Sequence, residues 1–322
     1  MRRWLTTRLL QAAATWVVAM ILLFFVMRLV PGDPLAALSP DHPLPPAALD
    51  ALRHLYGLDQ PLLVQLGHFF GGLLRGDLGL SLQYGRPVGE LIAERLPATL
   101  LLGGTALILN FTLGLWLGVR QAVARGGLLD RALSGLALAG YTLPVFWLGL
   151  LFVWIGALHW HLFPVAGMSD PLLATGAGVW RHGLDLAHHL ALPALTLTVA
   201  TIAVTMRHQR SAMLTALEAE WIVTARAKGL PESTVIRRHA WRTALGPIVT
   251  LLGLSVPALV AGAVLTEAVF AWPGLGTLAA GAVSARDYPV AMGCGALVAS
   301  LVVLGNLGAD VLHTVLDPRV RR

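Results

Sequence analysis

The feature that most restricts the fold of this chain is a series of six apolar segments, each long enough to cross a bilayer. About 20 apolar residues cross a hydrocarbon core of roughly 30 Å, and such segments occupy residues 9–30, 98–119, 132–158, 189–206, 246–268 and 289–316. Only 12% of the residues are charged, far below the usual share in a soluble domain. We therefore predict an all-α integral membrane protein with six transmembrane helices.

The positions of the basic residues predict the orientation of these helices. Cytoplasmic loops are enriched in Lys and Arg, and a cytoplasmic N-terminus places sixteen of the 23 basic residues on the inner side. These are Arg2, Arg3, Arg8, Arg120, Arg125, Arg131, the seven from Arg207 to Arg242, Arg319, Arg321 and Arg322. We therefore expect both termini in the cytoplasm, and the net charge of +6 needs no nucleic-acid partner. The first apolar run exceeds a signal-peptide core, so we expect an uncleaved first span.

The connections between the spans predict two parts of the chain. Residues 31–97 begin with the proline-rich PGDPLAALSPDHPLPP and continue with helical periodicity, which indicates a folded extracytoplasmic segment. Residues 269–288 are too broken to cross and predict a hairpin at the membrane surface. We predict one part at 1–97, with the first transmembrane helix and this segment, and a second part at 98–322 with five transmembrane helices.

Three prolines lie within the predicted spans and are candidate gating kinks. Pro144, Pro193 and Pro257 each remove a backbone donor and tend to bend a helix. Proline is also common in membrane helices that do not move, so a role in packing alone is the alternative. Gly114 and Gly118, four residues apart, are expected to let two helices approach closely.

The segment at about 207–245 is charged, cannot span and yet has the sequence signals of helices. It contains EAEWIVTARAKGLPESTVIRRHAWRTAL. A helix is predicted from about Thr215 to Lys228, with Gly229 as its C-terminal cap and a second helix after Pro231. Leu217, Trp221 and Ala225 are expected to share one face that suits a partner at close range, with Glu218 and Arg226 on other faces. The alternatives are a solvated loop that only sets topology and a helix on the membrane surface.

This segment and seven further blocks resemble one family of membrane proteins. WIVTARAKGL followed by VIRRHAWRTAL is similar to the cytoplasmic EAA loop of ABC importer permeases of the dipeptide, oligopeptide and nickel family. Val223 and Thr224 precede the retained Ala225 and Gly229 of that pattern. The other blocks, in the order found in these permeases, are RLVPGDP, GLDQPL, GDLGLS, RLPATL, FAWPGLG, ARDYPV and LDPRV.

The resemblance implies a type I ABC importer permease fold and a role in an assembly. It implies a bacterial inner-membrane protein that pairs with a second, homologous permease, two cytoplasmic ATPase subunits and an extracytoplasmic binding protein, with membrane lipid around it. The EAA-type loop would be the coupling helix that sits in a groove of an ATPase. The residues carried over to that role are Leu217, Trp221, Ala225, Arg226, Lys228 and Gly229.

Catalytic motifs are missing from the sequence. There is no G-x-x-x-x-G-K-[ST], G-x-S-x-G or H-E-x-x-H pattern. We therefore expect no enzyme and no bound cofactor, with ATP used by partner subunits. A stand-alone secondary transporter is the alternative from another class. Asn306, Asp310 and His313 near the end of the last span are its best candidate relay, although we interpret them as polar packing groups.

A cluster of histidines leaves nickel as an alternative substrate. Five of the eleven lie in the second outer connection and the helix after it: His159, His161, His182, His188 and His189. Their spacing matches no common metal site, so we expect no metal site and a short peptide as substrate. Arg28 and Glu267 are expected near the outer ends of spans, where charged side chains can reach the interface. Cys294 is the only cysteine, so no intramolecular disulfide can form.

Overall fold

The computed structural model describes residues 2–29, 45–55, 57–173, 178–262 and 264–316. Over these ranges the regular structure is helical, and the only β pairing is an isolated antiparallel bridge between Leu80 and Pro87. The prediction of an all-α protein is confirmed.

Four helices are long and apolar enough to cross a membrane. They are α1 (Arg2–Leu29), α4 (Val88–Val123), α7 (Val179–Leu217) and α14 (Tyr288–Leu316). α4, α7 and α14 each contain one of the predicted apolar segments and extend beyond it, and α1 covers the first predicted segment up to Leu29. At 1.5 Å per residue, the 39 residues of α7 reach about 58 Å, well beyond the hydrocarbon core.

The predicted span at 132–158 is not one continuous helix. It consists of α5 (Leu128–Thr142) and α6 (Val145–Phe152), which continues as a π-helix at Val153–His159, and the two halves meet at 107°. Leu143 is extended (φ −76°, ψ 137°) because the ring of Pro144 disfavours a helical residue before it. The prediction of a single helix here is wrong, while that of a bend at Pro144 is confirmed.

The predicted span at 246–268 contains two shorter helices. They are α11 (Gly246–Gly262) and α12 (Val264–Val269), and Pro257 lies within α11. Residue 263 and the side chain of Pro257 lie outside the described residues. With α5 and α6 counted as one bent span, five spans meet the length and composition criteria among the described residues.

One compact unit contains residues 2–99 and 273–304. It includes α1, α2 (Pro46–Leu55), α3 (Leu62–Arg75), the first turns of α4, α13 (Leu275–Ser284) and most of α14. Helices α2 and α3 confirm the prediction of helical structure after the proline-rich stretch. Trp16 of α1 donates to Ser300 of α14 at 2.8 Å, and the buried Asp287 carboxylate accepts a hydrogen bond from Ser81.

The other compact unit contains the described residues of 100–272 and residues 305–316. Its centre is α7, which packs closely on two neighbours. A Cβ at Gly118 of α4 would lie 2.8 Å from the Gln209 Cβ, and one at Gly140 of α5 would lie 2.8 Å from Val199 Cγ1. A Cβ at Gly114 of α4 would lie 2.9 Å from Thr205 Cγ2. The predicted close approach at Gly114 and Gly118 is confirmed.

Candidate functional site: the loop after α7

A sharp break separates α7 from the short helix that follows it. α7 ends at Leu217, Ala219 is extended (φ −74°, ψ 146°), and α8 runs from Glu220 to Ala227. The prediction of one helix from about Thr215 to Lys228 is therefore wrong. Leu217 belongs to the end of α7, so it cannot share a helical face with Trp221 and Ala225.

The buried face of α8 consists of Ile222 and Ala225, three residues apart. Ile222 is 0% exposed and Ala225 is 7% exposed. They belong to an apolar cluster with residues from α7, from the chain after α8 and from α4, namely Ala122, Met213, Ala216, Val235, Ala240 and Ala244. Leu217 packs on the edge of this cluster. The Ala225 side chain thus packs against its own chain.

The exposed side chains of α8 include apolar and charged residues and lie on more than one side of the helix. Trp221 is 56% exposed and Val223 is 59% exposed, and Lys228 at the C-cap is also exposed. A pocket of about 340 Å³ borders Trp221. Its other lining residues are His208, Ser211, Ala212, Thr215, Ala216, Thr243, Ala244 and Pro247. An exposed Trp beside a pocket is typical of a protein contact surface.

Gly229 ends α8 in the conformation that its position in the sequence predicts. Its φ is +75°, in the left-handed region that favours glycine. The Gly229 N–H donates to the Arg226 carbonyl at 2.9 Å and the Leu230 N–H to the Ala225 carbonyl at 3.4 Å. The predicted C-terminal cap is confirmed. A Cβ here would meet no atom within 4 Å, so glycine is favoured by backbone conformation and not by space.

An ion pair closes the turn between α8 and the next helical stretch. That stretch comprises α9 (Glu232–Thr234), a π-helix at Val235–Ala240 and α10 (Trp241–Ala244). Arg226 donates from Nε and Nη2 to the two Glu232 carboxylate oxygens, at 3.1 and 2.7 Å. This hydrogen bonding lowers the pKa of Glu232 below its usual value. Arg226 is therefore engaged within its own chain.

A second ion pair joins the C-terminal half of α7 to α5 and was missed by sequence reasoning. Arg210 donates to both carboxylate oxygens of Asp130, at 2.9 and 2.8 Å, and the Gly126 N–H donates to the same carboxylate at 3.0 Å. Asp130 is 5% exposed and lies in the first turn of α5, where a carboxylate is favoured. A lone acidic residue beside Arg125 and Arg131 singles out Asp130 in the sequence, but it does not indicate Arg210 as its partner.

The histidines make separate contacts. The His189 ring lies against Asp185, 3.1 Å from its carboxylate, and His188 Nε2 contacts the Leu162 carbonyl. His159 stacks on Trp154. Within the described residues no group of three or more His, Cys, Asp or Glu side chains is placed to hold a metal ion.

The other candidate residues lie in different places. Pro193 is buried within α7, which continues through it without a break. Glu267 is fully buried, so the expectation that it reaches the interface is wrong. Asn306 and Asp310 lie on α14, and the side chain of His313 lies outside the described residues.

Two family models match this chain. The model described as binding-protein-dependent transport system inner membrane component matches residues 110–322. The model for the N-terminal part of such membrane components matches residues 1–103. This chain belongs to that family of transport permeases. Membership decides against a stand-alone secondary transporter and a membrane enzyme.

Relatives of known role are similar along nearly their whole length. The dipeptide transport system permease protein DppB of Escherichia coli (strain K12) is 38% identical, over 100% of this chain and 99% of the relative. The di/tripeptide transport system permease protein DppB of Pseudomonas aeruginosa is 39% identical, over 94% and 93%. The oligopeptide transport system permease protein AppB of Bacillus subtilis is 38% identical, over 93% of each.

A solved structure has the same fold. The MetNI methionine ABC transporter, described in inward-facing conformations, matches with a TM-score of 0.53 and 19% identity. The match covers 70% of this chain and 96% of the other. It supports the expected fold of a type I ABC importer permease.

Proposed function

We propose that this chain is one permease subunit of an ATP-driven importer of di- and oligopeptides. The observation that carries the substrate class is the identity of 38–39% with three peptide permeases over 93% or more of each chain. A second homologous permease, two ATPase subunits and an extracytoplasmic binding protein complete the assembly. This chain binds no cofactor, and the partner subunits use ATP.

The geometry of α8 supports a role in coupling. The exposed residues Trp221, Val223 and Lys228 would contact the ATPase, while Ile222 and Ala225 hold α8 to the end of α7. A force on α8 is therefore transmitted to α7, which is continuous over 39 residues. Leu217, Arg226 and Gly229 act indirectly, since they support the position and the end of α8. Because an eight-residue helix is unstable alone, these attachments decide whether the force is transmitted.

We propose that the spans bend at the three prolines during transport. The chain bends by 107° between α5 and α6 at Pro144. Pro193 removes one backbone hydrogen bond from α7, the helix on which α5 and α6 pack. Pro257 lies within α11. A missing backbone hydrogen bond makes bending at such positions easier.

Both termini are proposed to be cytoplasmic. The support is the concentration of basic residues in the N-terminal turn, the 120–131 region, the loop after α7 and the C-terminus. With Cys294 replaced, single cysteines at Ser39 and Ser169 should react with an impermeant thiol reagent in intact cells, and one at Ser233 should not. Labelling at Ser233 together with silence at Ser39 would contradict this orientation.

Uptake by the complete complex tests the substrate. Proteoliposomes with the two permeases, the ATPases and the binding protein should accumulate labelled di- and tripeptides when ATP is present, and should not accumulate radioactive nickel. The exchange of His159, His161, His188 and His189 for Ala should leave peptide uptake in place once the amount of inserted protein is matched. Nickel uptake that this quadruple variant loses, without peptide uptake in either protein, would assign the chain to the nickel branch.

A further inference from the structure

A second pocket lies far from α8 in sequence and has no part in the proposed coupling. It measures about 640 Å³, a size typical of small-molecule sites. Its walls come from the end of α1, the turn after α2, one face of α3, residues 77–82 and the start of α14. All of these belong to the unit of residues 2–99 and 273–304.

One wall of the pocket carries a half-buried cation. Arg28 lies near the end of α1 with its guanidinium over the Phe24 ring, 5.4 Å from the ring centroid. Within the part of the chain that the structure describes, its Nε is shielded from solvent without a hydrogen-bond partner, and no carboxylate pairs with it. Removing a cation from water is unfavourable unless an anion accompanies it. The pocket therefore favours an anionic group at Arg28.

A second unsatisfied group lies on α3. Gln65 is 9% exposed, and its amide nitrogen donates to the Leu58 and Gln60 carbonyls at 3.3 and 2.7 Å. Its carbonyl oxygen is buried and has no donor among the described residues. A buried acceptor without a donor destabilises the empty pocket, so a ligand with an N–H or O–H group is favoured. Asp77, an exposed carboxylate on the same lining, also favours a cationic or donating group.

The two helices that carry these groups are apolar on their exposed surfaces. Leu22, Val26 and Leu29 of α1 are exposed, as are Leu63 and Leu74 of α3. α3 stays beside α1 through two ring contacts, between Trp16 and Phe70 and between Phe24 and Phe69. The pocket is therefore at the end of a membrane-spanning helix, with apolar surface next to it. A molecule with a zwitterionic or polar head and apolar tails matches both features.

We propose that this pocket binds the headgroup of a phospholipid. The phosphate accepts hydrogen bonds from the Arg28 guanidinium, the ammonium or hydroxyl group of the head donates to Gln65, and the acyl chains lie on the exposed apolar surface of α1 and α3. The lipid thereby joins α3 to the span beside it. A free dipeptide is also zwitterionic but leaves the apolar surface uncovered, so the phospholipid fits better.

Lipid retention tests this inference without any transport assay, so its failure is distinct from a failure of the proposed function. The complete complex is extracted in mild detergent, washed and analysed by native mass spectrometry. The wild type should retain phospholipid on this permease. Arg28→Gln should lower retention about tenfold, since hydrogen bonds to charged groups are among the stronger ones, and Arg28→Lys should preserve most of it. Arg75→Gln makes the same charge change on α3 outside the pocket and should leave phospholipid retention unchanged.

Mapping and a second variant complete the test. A photoreactive phosphatidylethanolamine should label the peptide that contains α3, and Leu58→Trp, which narrows the pocket without a change of charge, should abolish that label. If Arg28→Gln gives too little protein, a reduction of lipid labelling in Leu58→Trp still supports the site. Equal retention in the wild type, Arg28→Gln and Leu58→Trp would overturn the proposal. Binding of a labelled dipeptide in this pocket in place of lipid would also overturn the proposal.

Discussion

The attachment of α8 to α7 predicts a specific effect of Ile222→Ala. Ile222 is 0% exposed and packs in the cluster with Met213 and Val235. Truncating a buried Ile to Ala commonly costs about 2–5 kcal/mol. Because α8 has eight residues and is unstable in isolation, we expect this loss to appear mainly as local opening of α8.

A single protease site in the chain can report the opening of α8. Lys228 is its only lysine and lies at the C-cap of α8, so a lysine-specific protease can cut at this one position. When cutting follows the population of the open form, a loss of 2 kcal/mol raises the cleavage rate about 30-fold. Substrate-stimulated ATP hydrolysis should fall in the same variant, since a loosened α8 transmits less force.

Val223→Ala is the matched control. It removes methyl groups from the neighbouring residue, but that side chain is 59% exposed, so cleavage at Lys228 should change by less than about threefold. Membrane insertion and yield are compared for both variants before digestion. Equal cleavage rates for Ile222→Ala and the wild type would refute the claim that Ile222 anchors α8.

Three further substitutions or conditions have defined outcomes. Gly229→Ala should raise the same cleavage rate about five- to 30-fold because an L-residue at φ +75° costs about 1–2 kcal/mol, and an unchanged rate would remove the need for a left-handed cap. The Arg226–Glu232 pair should loosen as the pH falls. The pKa of Glu232 is lower in the folded protein, so the stability from this pair is present above the unfolded pKa and is lost as the pH falls through the folded pKa. A spin label at Ala227→Cys should therefore become more mobile on acidification, and Glu232→Gln should remove this response. Gly118→Leu should reduce the yield of folded protein, because a Cβ there would already lie 2.8 Å from Gln209, whereas Gly104→Leu, with no atom within 4 Å of its Cβ, should not.

Sequence reasoning predicted well what depends on long apolar runs and on single residues with strong conformational preferences. The four long helices, the bend at Pro144, the cap at Gly229 and the close approach at Gly118 all follow from hydrophobic length, the proline ring and the missing Cβ.

The prediction failed where tertiary contacts decide between local alternatives. Nothing in LTALEAEW forbids a continuous helix, and the break at Ala219 turns Ile222 and Ala225 toward the cluster. A spacing of four residues selected Trp221 and Ala225 as one face, whereas the structure buries residues three apart. The Asp130–Arg210 pair joins residues 80 positions apart, a separation that no local pattern in one sequence reveals.

Photo-crosslinking from α8 tests the central claim most directly. A benzoylphenylalanine placed at Trp221 or Val223, both of which are exposed, should crosslink to the ATPase subunit in the assembled complex. The same probe at Leu136, an exposed position on α5 away from the loop, should not. Crosslinks to the ATPase from Trp221 and Val223 alone would confirm α8 as the coupling surface. A probe that reacts with the ATPase from Leu136 but from neither α8 position would contradict it.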